Sequence, residues 1–211
     1  EYASDKLPWK FNLAGLNRLI PGIGPGNFGI MFALVESGKS AFNISICFGP
    51  DGFAEQGARV LYVANEEPAE ATRFRAVMSN TGFSEERLLQ NKHAARDMWR
   101  RIKDNVLFHE TTEIRQLEAL IKKYKPDIVV VDQMDKLNIN GSFARDDLKL
   151  SEIYRRGREI AKKNQCSFIA VTQADASADG RTSLRFTQMS GSKIGKPAEA
   201  DYVLGLGKES T

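Results

Sequence analysis

The amino-acid sequence predicts an α/β domain in which helices flank both faces of a mostly parallel central sheet. Its apolar runs are short and continuous rather than alternating, which is typical of strands buried on both faces. These runs alternate along the chain with segments of helical apolar spacing, the order that parallel strands joined by helices require. With 211 residues, 42% hydrophobic and 27% charged, the chain is long enough for one such domain with a substantial core.

The individual elements follow from apolar spacing and from turn and cap residues. Residues 1–12 are expected to form a tether, followed by a short helix at 13–20 and a rigid Pro-Gly turn at 21–26. The first predicted strand starts at Phe28, and the others lie at 58–64, 105–109, 127–132, 167–173 and 201–206. Later helices are predicted at 41–48 and at 112–124. Three more are predicted: one that runs from Pro68 toward Ser79, one that begins after a cap at Ser84, and a long one that ends near Asn164. Polar loops are expected at 136–147 and, without regular structure, at 174–197.

The composition argues against a membrane protein and against a structural zinc site. No apolar run reaches transmembrane length, and a net charge of +3 is too small to indicate a nucleic-acid partner by itself. Cys47 and Cys166 lie in apolar surroundings, which predicts buried thiols in a reducing compartment. His93 and His109 have no metal-ligand spacing.

One basic segment, KHAARDMWRRIK at 92–103, has two interpretations. It could be a nucleic-acid patch, or it could be a solvated helical face that covers Trp99. We favour the second interpretation, because a run of charges is usually a solvated surface.

The sequence SGKS at 37–40 lies between an apolar run and a helical segment. A small-residue loop that opens a helix directs backbone N–H groups at phosphate oxygens. Lys39 would then contact the β- and γ-phosphates, and the Ser40 hydroxyl would bind Mg²⁺. The predicted nucleotide contacts are Ser37, Gly38, Lys39, Ser40 and Ala41, with ATP and Mg²⁺ as cofactors. The alternative is a simple turn that caps a core helix, since Ala33 stands where the full phosphate-loop pattern has glycine.

Asp132 ends the apolar run DIVVVD, and a carboxylate there can complete the Mg²⁺ site opposite Ser40. The carboxyl ends of parallel strands meet at one edge of the sheet, where ligands of such folds bind. The alternative role of Asp132 is a strand-end cap. Asp135 is expected beyond the strand, facing a partner or a loop.

Two further strand ends carry groups suited to phosphate chemistry. Glu66 is a candidate general base for the attacking water, and Glu67 is its direct competitor. Gln173 ends the run SFIAVTQ, where its amide could sense the γ-phosphate. The alternatives are a first-turn helix carboxylate for Glu66 and an ordinary polar strand end for Gln173.

These motifs resemble the ATPase domain of DnaB-type hexameric replicative helicases, within the RecA-like fold. The resemblance extends over about 11–206 and begins with the lead-in LAGLNRLIPGIGPGNFGIMFA. EEPAE at 66–70 resembles the family's Glu-Met-Pro-Ala-Glu segment, IVVVD its magnesium-binding strand and VTQ its sensor strand. SGS at 190–192 followed by Ala200 and Asp201 resembles its Ser-Gly-Ser and Ala-Asp segments. Many members also have Ala in place of the first phosphate-loop glycine.

The resemblance implies a RecA-like P-loop NTPase that acts as a DNA helicase motor. It selects Glu66 over Glu67 as the catalytic carboxylate, together with Lys39 and Gln173. It also implies a cytoplasmic protein of a bacterial cell or phage-infected host that forms a homo-oligomer, as a hexameric ring, with single-stranded DNA and a primase as partners. The basic residues expected to contact DNA phosphates are Arg181, Arg185, Lys193 and Lys196.

The sequence also departs from that family. Leu34 and Val35 replace the usual Arg-Pro, and Glu36 adds a carboxylate that would weaken nucleotide binding unless it points to solvent. The family's basic finger lies beyond Thr211, so 13–211 is expected to be an ATPase domain truncated at its carboxyl end. Two alternatives stay open: a recombinase or clock-type ATPase that does not unwind DNA, and a nucleotide-gated assembly module that has lost hydrolysis.

Overall fold

In the computed structural model, which describes residues 7–191 and 194–209, six strands form one parallel sheet. The strands are β1 (Phe28–Ala33), β2 (Val60–Ala64), β3 (Val106–His109), β4 (Ile128–Asp132), β5 (Ser167–Gln173) and β6 (Tyr202–Leu206). Their order across the sheet is β3-β2-β4-β5-β1-β6, and every neighbouring pair is parallel. The predicted parallel sheet is confirmed.

Seven α-helices accompany this sheet in the described ranges. They are α1 (Ala14–Leu19), α2 (Lys39–Phe48), α3 (Ala69–Thr81), α4 (Glu85–Gln90), α5 (Lys92–Trp99), α6 (Ile114–Tyr124) and α7 (Asp146–Asn164). The core consists of two hydrophobic clusters, and alternate residues of the strands belong to each. One cluster includes α6 and α7, and the other includes α2 and α3. Helices therefore cover both faces of the sheet, as predicted.

The strand register aligns the carboxyl ends at one edge of the sheet. Ala33 of β1 pairs with Gln173 of β5, and Ala64 of β2 pairs with Asp132 of β4. The segments that follow β1, β2, β4 and β5 therefore leave the sheet side by side. This geometry is what brings distant parts of the sequence to one site.

Local signals predicted the helix ends well. The Ser84 hydroxyl accepts a hydrogen bond from the Arg87 N–H at 3.3 Å, as expected for the cap of α4. Pro68 stands just before α3 rather than inside its first turn.

Trp99 at the end of α5 packs against the α2 and α3 cluster, while most charged residues of that helix are exposed. This arrangement agrees with the solvated-face interpretation.

The predicted tether is only partly described, since residues 1–6 lie outside the described ranges. Trp9 forms an antiparallel bridge with Ile23, and Phe11 is buried in the α2 and α3 cluster.

Cys47 and Cys166 are buried thiols, and burial raises the pKa of Cys166 to about 12. Among the described residues, no helix is both long and apolar enough to cross a bilayer.

The connection at 174–197 is more ordered than the sequence suggested. It contains short 3-10 turns at Ala176–Ala178 and Phe186–Gln188, and a further turn, Pro197–Glu199, follows. Ala174 and Met189 form an antiparallel bridge, and Met189 is fully buried. The expectation of a structureless loop was wrong because scattered apolar residues in this segment have no helical or strand period, yet they still pack on the core.

Candidate functional site

The loop between β1 and α2 presents an open backbone at the start of a helix. Gly38 has a φ of 86°, and an added Cβ would meet no atom within 4 Å. A side chain there would be strained and would project into the space in front of the loop. No side chain caps α2, so its first N–H groups are available to a phosphate. Glu36 in the same loop is exposed, with a left-handed φ of 59°.

Ser40 and Asp132 are in direct contact behind this loop. The Ser40 hydroxyl donates to Asp132 Oδ2 at 2.8 Å, and the Tyr62 hydroxyl donates to the same oxygen at 2.9 Å. Burial, reinforced by the Asp132 charge, raises the pKa of Tyr62, so its phenol stays a proton donor. The contact joins residues that are 92 positions apart in the sequence.

The chemistry of this pair fits a magnesium ion. Asp132 Oδ1 is buried and accepts no hydrogen bond from the described part of the chain. An unpaired carboxylate oxygen beside a hydroxyl offers two oxygen ligands, and Mg²⁺ completes its shell with water and phosphate oxygens. In the described ranges, no group of three or more His, Cys, Asp and Glu side chains could hold a metal by itself. Ser40 and Asp132 would therefore hold Mg²⁺ together with the nucleotide.

Glu66 lies between two lysines. Its Oε2 is 3.5 Å from Lys39 Nζ, and its Oε1 is 3.1 Å from Lys136 Nζ. Burial alone would raise the pKa of Glu66, but Lys136 and Lys39 together hold it below its usual value. Glu66 is therefore an ionised carboxylate at neutral pH, the form that a general base needs.

Glu67 has a different partner. Its Oε1 is 2.7 Å from the Arg75 guanidinium, on α3. Glu66 contacts the phosphate-loop lysine and Glu67 does not. This difference supports Glu66 as the base, and the assignment stays a prediction.

A cavity of about 300 Å³ joins these groups. Its lining consists of Val35, Glu36, the phosphate loop from Gly38 to Ala41, Glu66, Glu67, Arg75 and Gln173. The Gln173 carbonyl accepts a hydrogen bond from the Ser190 N–H at 2.9 Å, so the end of β5 is also tied to the 174–197 connection. Ser37 does not line this cavity; its hydroxyl donates to the Leu34 carbonyl at 2.6 Å. Lys39, Ser40, Glu66 and Gln173 thus line one cavity, and Asp132 contacts it through Ser40.

A protein-family model described as an AAA domain matches residues 9–179, most of the chain. The chain belongs to this AAA domain family. It is therefore a nucleotide-binding domain, and the cavity beside the phosphate loop is the candidate nucleotide site. No curated protein matches the sequence.

Solved structures share the fold of this AAA domain. One is described as an ATPase domain, with a TM-score of 0.72 and 17% identity over 92% of this chain and 74% of that one. Another is a DnaB-like replicative helicase, described with its interactions with primase, with a TM-score of 0.77 and 15% identity. That match covers 92% of this chain and 50% of the helicase chain. The predicted RecA-like fold of DnaB-type ATPase domains is confirmed.

Sequence reasoning missed Lys136 and Arg75, which the AAA domain brings to the two glutamates. Lys136 stands four residues after Asp132, at the start of the 136–147 loop. The structure places Lys136 at the end of a 3-10 turn, Met134–Lys136, and no apolar periodicity in the sequence indicates side-chain direction in so short a turn.

The predicted DNA contacts of the AAA domain do not all lie on its surface. Arg181 and Arg185 are exposed on the 174–197 connection, close to the 55% exposed Phe186. Lys193 lies outside the described residues. Lys196 is fully buried, with its ammonium 2.6 Å from Asp135 Oδ2. The structure therefore contradicts the expectation of a DNA-phosphate contact at Lys196.

Asp135 lies beyond β4 and faces a loop, as one of its two expected placements has it. Its carboxylate accepts hydrogen bonds from Tyr154, Thr172 and Lys196 inside the domain. The sequence indicated a loop carboxylate, whereas the chain folds a lysine 61 positions away onto it.

Proposed function

We propose that this AAA domain is the motor of a replicative DNA helicase, which hydrolyses ATP to translocate on single-stranded DNA and unwind duplex. The observation that carries the proposal is the Ser40–Asp132 contact at 2.8 Å, with the Lys39–Glu66 pair beside it. Together these groups supply a phosphate cradle, a Mg²⁺ site and a general base. The fold shared with a solved ATPase domain and with a DnaB-like replicative helicase supports the same function.

The proposed chemistry starts with Lys39. In the structure its ammonium is 3.5 Å from Glu66, and we expect it to turn to the β- and γ-phosphates when ATP binds. This movement releases Glu66 Oε2, which can then accept the proton of the attacking water. Ser40 and Asp132 would hold Mg²⁺, which supplies charge neutralisation on the phosphates. Gln173, at the wall of the same cavity, would sense the loss of the γ-phosphate.

DNA would contact the 136–147 loop and the 174–197 connection. Arg181, Arg185 and Lys193 would bind phosphates, which makes the affinity salt-dependent and largely independent of sequence. We further propose a homo-oligomer, a hexameric ring in the complete protein, with a primase as partner. The setting would be the cytoplasm of a bacterial cell or of a phage-infected host.

The deciding experiment is Mg²⁺-dependent ATP turnover at several protein concentrations, with and without single-stranded DNA. Lys39→Ala is the inactive blank, and Lys92→Ala, at an exposed lysine that begins α5, is the matched control. We expect DNA to stimulate ATP turnover. We also expect turnover to rise faster than linearly with protein concentration, because each ATP site is shared between neighbouring subunits. Turnover in the wild type no higher than in Lys39→Ala would contradict the motor.

A strand-displacement assay separates the rival functions. A helicase motor displaces a labelled strand from a forked duplex, whereas a recombinase or clock-type ATPase hydrolyses ATP without displacement. A nucleotide-gated assembly module would change its sedimentation with ATP while showing no turnover.

A further inference from the structure

Lys196 is the most buried cation of the described chain, with an exposed fraction of 0%. Its Nζ donates to Asp135 Oδ2 at 2.6 Å, to the Ser190 carbonyl at 2.8 Å and to Thr172 Oγ1 at 3.1 Å. An ammonium has three N–H donors, so each of them has a partner.

The carboxylate that faces Lys196 is equally well paired. Asp135 Oδ1 accepts from the Tyr154 hydroxyl at 2.7 Å, and Oδ2 accepts from the Thr172 hydroxyl at 2.7 Å. The Tyr154 ring also lies 5.1 Å from the ammonium, within the range of a cation–π contact. The result is a largely buried network, with Lys196 0% and Asp135 21% exposed, in which the two charges compensate each other.

The network connects four parts of the chain. Asp135 follows β4 three residues after Asp132, and Thr172 directly precedes Gln173 on β5. Tyr154 belongs to α7, while Ser190 and Lys196 belong to the 174–197 connection. It therefore joins the two strand ends that carry the predicted metal and sensor residues to the segment that carries Arg181 and Arg185.

The connection closes tightly over the ammonium. Gly191 has a φ of 80°, and an added Cβ would stand 2.6 Å from Leu150 Cδ1 and 3.4 Å from Lys196 Nζ. Small displacements of Asp135 or Thr172 would therefore be passed to the backbone at 190–191 rather than absorbed by empty space.

Stability alone is a weak reason for such a pair, because well-packed apolar residues often stabilise a core as well as a buried ion pair does. We propose that Lys196 is a positioning residue that couples the nucleotide site to the DNA-binding connection, through Asp135 and Thr172. This inference rests on the proposed function. By linkage, nucleotide and DNA then change each other's affinity by the same factor.

The test measures that factor directly in the complete 211-residue chain. The Kd of a fluorescent oligothymidylate is determined by anisotropy, with and without a non-hydrolysable ATP analogue and Mg²⁺. The ratio of the two Kd values is the coupling, and about fivefold or more is expected for the wild type.

The informative variant replaces both charges, Asp135→Asn with Lys196→Met. Removing one partner leaves a buried uncompensated charge and destabilises the fold, whereas removing both restores a neutral core. We expect the double variant to keep the urea midpoint of the wild type while its coupling ratio falls to about one. Lys163→Met removes an exposed charge near the end of α7 and should leave the ratio unchanged.

A second variant keeps the test decisive if the double variant does not fold. Thr172→Val preserves shape and both charges but removes the hydroxyl that links Lys196 to β5, so the coupling ratio should fall. The inference would be overturned if either folded variant kept the coupling ratio of the wild type. It would also be overturned if the wild type bound DNA with the same Kd in the presence and absence of the nucleotide. Absence of DNA binding by the wild type in both conditions would instead contradict the proposed function.

Discussion

At the scale of single residues, two adjacent glutamates have separate partners. Glu66 lies between Lys39 and Lys136, whereas Glu67 pairs with Arg75. Neighbouring side chains at a strand end diverge because the chain is turning into α3. Their roles can therefore be separated by matched substitutions.

Glu66→Gln is expected to lower ATP turnover by about 10²–10⁴-fold, because the amide cannot accept the proton of the attacking water. Nucleotide affinity should change little, since the phosphate loop and Ser40 are untouched. Steady-state turnover and binding of a fluorescent ATP analogue measure the two effects. Glu67→Gln is the matched control and should keep most of the activity; the reverse result would assign the base to Glu67.

Lys136→Met is expected to shift the pH dependence of turnover. Lys136 helps to hold the pKa of Glu66 low, so its removal raises that pKa. A base acts only when ionised, and the acidic limb of the turnover profile should therefore move to higher pH. Lys136→Arg keeps the charge and should keep the limb in place. An acidic limb unchanged in Lys136→Met would show that this lysine does not tune the base.

At the scale of elements, the contact between α7 and the sheet depends on one glycine. Gly157 lies within α7, where glycine lowers helix stability. An added Cβ there would stand 2.7 Å from Met134 Cε and 2.8 Å from Phe28 Cε2. Close approach of the helix to β1 is therefore the reason for glycine at this position.

Gly157→Ala should lower the free energy of unfolding by about 1–3 kcal/mol, because overpacking outweighs the gain in helix propensity. Gly15→Ala is the matched control in α1, since its Cβ would meet no atom within 4 Å. That substitution should be neutral or stabilise the domain by up to about 1 kcal/mol. Urea unfolding measures both changes. Equal stability of Gly157→Ala and the wild type would mean that α7 can move away from β1 without cost.

At the scale of the whole molecule, two basic surfaces compete as the DNA contact. One is the exposed face of 92–101 on and after α5, and the other is the 174–197 connection, which emerges beside the candidate nucleotide site. A motor needs its DNA contact next to the groups that respond to ATP. We therefore propose the connection, rather than the α5 surface, as the DNA contact.

Replacing Arg181 and Arg185 together by alanine should weaken single-stranded DNA binding and reduce the slope of log K against log salt by about 1–2, because two phosphate contacts are lost. The matched control replaces Arg100 and Arg101, which are exposed after α5 and carry the same charge. Anisotropy titrations at several salt concentrations give both slopes. A larger loss in the control pair would place the DNA contact on the α5 surface.

The sequence by itself determined the strands, most helices and the phosphate loop. Continuous apolar runs such as IVVVD, the Ser84 cap and the Gly-Lys-Ser triplet act through neighbours only a few residues away, so their structure can be read locally. The carboxyl ends of parallel strands lie at one edge of the sheet, so the sequence also predicted that Glu66, Asp132 and Gln173 lie near one another. That prediction depends on strand direction alone.

Only the tertiary structure decided which side chains meet. Lys196 resembled its basic neighbours in the sequence, yet it is buried against Asp135, and Lys136 points back to Glu66. These outcomes depend on side-chain direction outside the main helices and strands and on contacts between residues 61 and 70 positions apart. No local period encodes such contacts, because the free energy that selects them comes from packing and charge compensation in the folded core.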